Sequence, residues 1–257
     1  GFWSFLGWRM RQLSNEADVA PMDKETGAKF IFRNTVRAAL FTVWFALTVG
    51  STVPWLWMMS IDAHWYSTMY SWYTFASSFV SGMSLIALWL IYMKNKGYME
   101  LTNQEHLHDV GKFMFAFSIF WTYLWFSQFM LIWYANIPEE TVYFKPRMQG
   151  PYQGIFFLNL IVNFLLPFLL LMRRSSKRNY TTMTFVAVLI IVGHWVDFYQ
   201  MVMPGALGEH YSLGWFEFGI LALYAGLIMH FVGRGLSSKP LVPKYNPFLK
   251  ESMIHHV

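Results

Sequence analysis

Residues 181–203 read TTMTFVAVLIIVGHWVDFYQMVM, and this stretch decides the fold. A helix needs about 20 predominantly apolar residues to cross the hydrocarbon of a bilayer, and this run supplies them. Its only Asp, Glu, Lys, Arg or His residues are His194 and Asp197. Five more runs have the same character, at about 38–59, 68–93, 113–134, 152–172 and 211–233. Lipid offers a backbone no hydrogen-bond partners, so only helices and closed barrels span it, and unbroken apolar runs lack the alternation of barrel strands. The expected fold is therefore all-α, a polytopic integral membrane bundle of six transmembrane helices. Pro54 and Pro167 then read as kinks or helix-end features.

Composition agrees. The chain is 56% hydrophobic and 13% charged, where a soluble domain carries about a quarter charged residues. Aromatic residues make up 20%, which suits rings facing lipid or sitting at headgroup level. The net charge of +5 does not point to nucleic acid, because the basic residues are spread through the loops rather than gathered on one exposed patch. With no cysteine, the chain has no disulfide framework, thiolate iron–sulfur site, Cys zinc site or c-type haem attachment. Any redox centre is expected in a partner.

Seventeen of the 19 basic residues fall before the first run, in the second-to-third and fourth-to-fifth connections, and in the tail. Only Lys145 and Arg147 fall on the other side. The positive-inside rule then places both ends of the sequence in the cytoplasm. The layout divides into residues 1–36, the end of a preceding membrane helix and a cytoplasmic loop; residues 37–233, the six-helix transmembrane domain; and residues 234–257, a cytoplasmic tail. Gly1 to Trp8 reads as the end of an earlier apolar segment, and the polar stretch 14–29 as a surface loop. The tail from Ser237, with Pro240, Pro243 and Pro247, should lack regular structure and lie against a partner. Trp55, Trp57, Trp65, Tyr66, Trp72, Trp133, Tyr134, Tyr211 and Trp215 are expected as anchors at the outer interface.

Ionisable groups at membrane depth are costly, and function is the default explanation for them. His194 and Asp197 are three residues apart, on one helical face. Asp197 precedes the outer end of its run by six residues and Glu217 follows the outer start of the next by six. At 1.5 Å per residue both lie about 9 Å below that surface, so a His194, Asp197, Glu217 cluster is expected, suited to handling protons or contacting a polar ligand. The alternative is a structural His194–Asp197 pair, with Glu217 among headgroups. Tyr123, Ser127 and Gln128 offer a hydrogen-bond chain on the third helix, or polar glue between helices. Glu105, His106, His108, Asp109 and Lys112 form a titratable cluster near the inner surface, with His230 at similar depth. These either admit protons or simply cap a helix start. Thr74, Ser77, Ser78 and Ser81 suit close helix packing. No pair of histidines shares a depth within the membrane for a b-type haem, and neither His106 with His108 nor His255 with His256 suits a metal. No nucleophile–base arrangement or phosphate loop can be read.

Three stretches together carry a resemblance. They are Met59-Ser60-Ile61-Asp62-Ala63-His64-Trp65, continuing to Phe79-Val80-Ser81-Gly82; His108-Asp109-Val110-Gly111-Lys112-Phe113, continuing through Phe120-Trp121-Thr122-Tyr123-Leu124-Trp125-Phe126-Ser127-Gln128-Phe129 to Trp133-Tyr134-Ala135-Asn136-Ile137-Pro138-Glu139-Glu140; and Gly193-His194-Trp195-Val196-Asp197-Phe198. The chain resembles the second large membrane subunit of bacterial alternative complex III, a quinol:cytochrome c oxidoreductase, within the polysulfide-reductase (NrfD-like) family. The resemblance runs from about Phe30 to the tail. The family subunit has a further N-terminal group of membrane helices, which is expected to be missing here.

The resemblance implies a subunit of a respiratory complex in the bacterial cytoplasmic (inner) membrane, with no redox centre of its own. It implies haem c and iron–sulfur clusters in partner subunits, a sister membrane subunit that oxidises menaquinol or another quinol, and a candidate proton path here. Carried over by motif match are His194 and Asp197, then Tyr123, Gln128, His108 and Asp109. Two other classes stay open: a secondary transporter with a polar intramembrane site, and a purely structural membrane scaffold.

Overall fold

The computed structural model describes residues 1–19, 21–208, 210, 213–238, 240–242 and 244–255. Tyr211, Pro243 and His256, singled out above, lie outside the described residues. Every described element is helical. The long helices are α1 (Phe2–Val19), α2 (Lys24–Ile61), α3 (Met69–Asn95) and α4 (Gln104–Ala135). After the short α5 (Phe144–Met148) come α6 (Gly150–Leu171), α7 (Tyr180–Leu207) and α8 (Trp215–Ser237). Six of these, α2, α3, α4, α6, α7 and α8, are long and apolar enough to cross a membrane. By length and composition the chain is a multi-pass membrane protein.

Pro54 and Pro167 sit inside these helices without breaking them. In a regular α-helix a proline ring clashes with the carbonyl four residues back. For Pro54 that residue is Gly50, inside the π turn Thr48–Thr52. For Pro167 it is Asn163, inside the π turn Ile161–Leu165, where Leu166 N–H donates to Ile161 O. The wider turn relieves the clash, and the helix continues.

The helices form two units, Gly1–Trp44 with Ser212–His256, and Phe45–Tyr211. In the first, Leu13, Ala17 and Phe30 make a small apolar core with Met22 and Ile31. The expected loop over 14–29 is therefore mostly helix. Leu6, Leu13 and Ala17, spaced by seven and four, put one buried stripe on this helix. Arg33 pairs with Glu16 at 2.8 Å, and Arg37 Nη1 donates to Arg9 O at 2.6 Å. The tail also departs from expectation. It contains a helical turn, Leu249–Met253, and it lies on the chain's own N-terminal helix, Tyr245 N–H donating to Ala17 O at 2.9 Å.

In the second unit α3, α4, α6 and α7 pack together. Their core has two parts. One is aromatic, built on Trp65, Tyr70, Tyr73, Trp121, Trp125, Tyr143 and Phe156. The other is aliphatic, built on Val80, Ile91, Leu107, Met114, Leu171, Met183, Val186 and Ile190. Trp65 is not an interfacial anchor: it is only 4% exposed and stacks on Tyr143 with ring centroids 3.9 Å apart. Trp57, Tyr66, Trp72, Trp133, Tyr134 and Trp215 are exposed.

Candidate functional site

Asp197 is 0% exposed and sits about 15 Å along the axis from the C-terminal end of α7, at 1.5 Å per residue. Four donors converge on it from three helices. From α3, Tyr73 O–H donates to Oδ1 and Ser77 O–H donates to Oδ2 at 3.0 Å. From α4, Trp121 Nε1–H donates to Oδ2 at 2.8 Å, and from α6, Asn159 Nδ2–H donates to Oδ1 at 2.7 Å. A carboxylate has about four lone-pair positions, and here each is occupied. This complete satisfaction is what makes burying the group tolerable, since an unpaired buried polar group is costly.

His194, 1% exposed, extends the network. Its Nδ1 lies 2.8 Å from Ser77 Oγ and 3.6 Å from Asp197 Oδ2. Because Ser77 gives its one proton to Asp197, Nδ1–H is the donor to Ser77. The result is a directed chain, His194 to Ser77 to Asp197. His194 Nε2, at the far end, has no hydrogen-bond partner among the described residues. On the other flank Asn159 Nδ2 also reaches Gln200 Oε1 at 3.1 Å. Asn163, one turn along α6, donates to Asn159 Oδ1 and to Gly193 O at 3.0 Å. Gly193 is needed there, because a Cβ would fall 2.6 Å from Val162 Cγ1 and against the Asn163 amide.

Toward the C-terminal end of α7 the network meets a buried cation. Arg147, on α5, is 2% exposed and donates four hydrogen bonds. Nε donates to Gln200 O at 3.1 Å, Nη1 to Tyr143 O at 2.6 Å, and Nη2 to Met201 O at 2.8 Å and Asp62 Oδ2 at 3.0 Å. The first has a covalent origin: Pro204, four residues on, has no N–H to offer Gln200 O, and Arg147 takes that place. Gly205 makes room for Asp62, whose Oδ1 would sit 2.8 Å from a Cβ there. The guanidinium also lies 3.5 Å over the Tyr143 ring. Between Arg147 and the shell of Asp197 is a cavity with about 10 Å³ of room for the centre of a water molecule, lined in part by Tyr73, Gln128, Arg147 and Gln200.

The residues expected at the site divide sharply. His194 and Asp197 are together at its centre. Gln128 lines the cavity and donates to Ser67 Oγ at 2.9 Å. Glu217 belongs to the other unit, where its Oε2 accepts from Gly214 N–H at 2.8 Å, capping its own helix. Tyr123 is 63% exposed: two residues from both Trp121 and Trp125, it falls on the outer side of α4. Ser127 only bonds back to Leu124 O at 3.3 Å.

At the opposite end of α4, His106 completes a capping box with Asn103, and Asp109 pairs locally with Lys112 at 2.6 Å. His108 is buried, but thirteen residues, about 20 Å of helix, separate it from Trp121. Glu105 forms a two-pronged pair with Arg178 at 2.8 and 2.7 Å. Beside it Lys177 Nζ closes the carbonyl of Leu171 at 2.5 Å, and burial pulls the Lys177 ammonium below its ordinary range.

Sequence reasoning misses Tyr73, Trp121, Asn159, Asn163, Arg147, Asp62 and Gln200, and it reads Ser77 only as a packing residue. A signal is available for two of them. Asn159 and Asn163 stand four apart inside an otherwise apolar run, and amides at that depth need partners. Among the described residues no three His, Asp or Glu side chains are grouped to hold a metal ion. No protein-family model matches the sequence, and no curated protein matches it.

Proposed function

We propose that this chain is an integral membrane subunit of a respiratory quinol:cytochrome c oxidoreductase, supplying structural support and a proton path coupled to quinol oxidation by neighbouring subunits. The orientation belongs to the same reading, with the Glu105–Arg178 end in the cytoplasm and the Asp62–Arg147 end outside. One observation carries it: a carboxylate buried at membrane depth is tied through hydroxyl groups to an imidazole on one side and to a polar cavity on the other. Groups of this kind exchange protons, and hydrogen-bonded chains of them pass protons on. The resemblance of the three quoted stretches supplies the reaction and its partners.

The test is Asp197→Asn in the assembled complex. We expect quinol oxidation to persist while proton movement per electron falls several-fold. If both stay at wild-type values, the subunit is a scaffold. A secondary transporter is a second reading, and the polar cluster buried around Asp197 favours it, since transporters bind their substrates at polar groups near the middle of the membrane. Purification decides between them: haem- and cluster-bearing partners support the respiratory subunit, and a chain that purifies alone with a transported substrate supports the transporter.

A further inference from the structure

Several polar groups that line the cavity beside Arg147 keep hydrogen-bonding capacity. Arg147 has five N–H groups, and four are used on Gln200 O, Tyr143 O, Met201 O and Asp62 Oδ2. One donor is left. Gln200 has its Oε1 occupied by Asn159, leaving its amide N–H groups as donors toward the space it lines. Gln128 spends one N–H on Ser67, leaving its carbonyl oxygen as an acceptor. Tyr73 gives its proton to Asp197, leaving the lone pairs of its hydroxyl oxygen.

Arg147 and Gln200 thus have donors to spare around the cavity, and Gln128 and Tyr73 have acceptors. A water molecule presents two donors and two acceptors. The available room, about 10 Å³ for the centre of such a molecule, holds about one, and a buried water needs two to four polar partners.

We propose that this cavity binds one water molecule and that the water passes protons to Asp197 through Tyr73. The inference rests on the proton-path reading above and adds the route by which one flank reaches the carboxylate. A proton entering the water displaces one of the water's own protons onto Tyr73 Oη. Tyr73 at the same time gives its hydroxyl proton to Asp197 Oδ1. The water and the tyrosine end unchanged, Asp197 ends protonated, and nothing is oxidised or reduced. Asp62 has a second role in this scheme: at 3.0 Å from the guanidinium, it offsets the charge of Arg147, which alone would repel an incoming proton. Arg147 and Gln200 are positioning residues, and Tyr73 is the relay.

The experiment uses the purified, assembled complex. A map fine enough to show ordered water should contain one density peak within hydrogen-bond distance of Arg147, Gln128, Gln200 and Tyr73. Tyr73→Phe should keep that peak and cut proton movement per electron several-fold, as Asp197→Asn does. Gln128→Leu with Gln200→Leu should remove the peak and cut proton movement by a similar factor, which gives an independent route if Tyr73→Phe fails to assemble. A wild-type map with no peak there overturns the proposal. So does wild-type proton movement in Tyr73→Phe or in the double variant. If Asp197→Asn still blocks proton movement while these variants do not, the water relay is wrong and the proton path stands. If Asp197→Asn is also silent, the path itself is wrong.

Discussion

The same four helices build two interiors of different kinds. Around Asp197 the core is aromatic, and its rings carry polar handles: Tyr73 and Trp121 both donate to the carboxylate. Farther along α7, toward its N-terminus, the core is aliphatic, with Val186 and Ile190 packed among Leu107, Met114 and Leu171. Aromatic side chains exclude water and still present an O–H or N–H, so a charge can be buried among them. Aliphatic ones can only exclude water. The contrast gives the bundle a polar half in which a proton has partners and an apolar half in which it has almost none.

The largest effect is expected from breaking the polar half at its cation. Arg147→Met strands the Asp62 carboxylate and three carbonyls and should cost about 3–5 kcal/mol, read as a fall in the unfolding midpoint of the detergent-solubilised complex. In the apolar half, Ile190→Ala should cost about 3 kcal/mol by leaving a cavity. With quinol absent it should also raise passive proton permeability in proteoliposomes, which Arg147→Met should not do if the seal lies wholly in the aliphatic half.

Gly193→Ala tests the seam between the halves. Its new methyl group meets Asn163 and Val162 and should cost about 1–3 kcal/mol. The double variant Gly193→Ala with Asn163→Ala should lose less than the two single losses added together. The smallest effects belong to residues outside both halves. Glu217→Ala removes a helix cap, worth about 1 kcal/mol, and Tyr123→Phe should fall within about 0.5 kcal/mol of wild type. Both should leave proton movement unchanged.

The spans are legible in the sequence because hydrocarbon imposes one rule on every backbone group, and a run such as 181–203 obeys it wherever it is packed. His194 and Asp197 are legible for the same reason, as polar groups where polarity is costly. Their partners are not. Tyr73, Trp121 and Ser77 are ordinary residues for a membrane helix, and only helix rotation turns them toward one carboxylate. Rotation also explains Tyr123, which shares a helix with Trp121 but is turned to its exposed side. Arg147 reads as a loop residue because charge near a span end normally seeks water. Its burial depends on a carbonyl left free by Pro204 and on space left by Gly205, neither of which can be seen one residue at a time.

The π turn at Ile161–Leu165 has a consequence for how α6 tolerates changes in length. Such a turn is equivalent to one residue spliced into a regular helix. Deleting a single residue from it, Val162 for instance, would restore ordinary winding and rotate the N-terminal part of the helix by about 100° relative to the C-terminal part. Asn159 would swing away from Asp197 although no side chain at the site had been altered, so a one-residue deletion here should be more damaging than many substitutions.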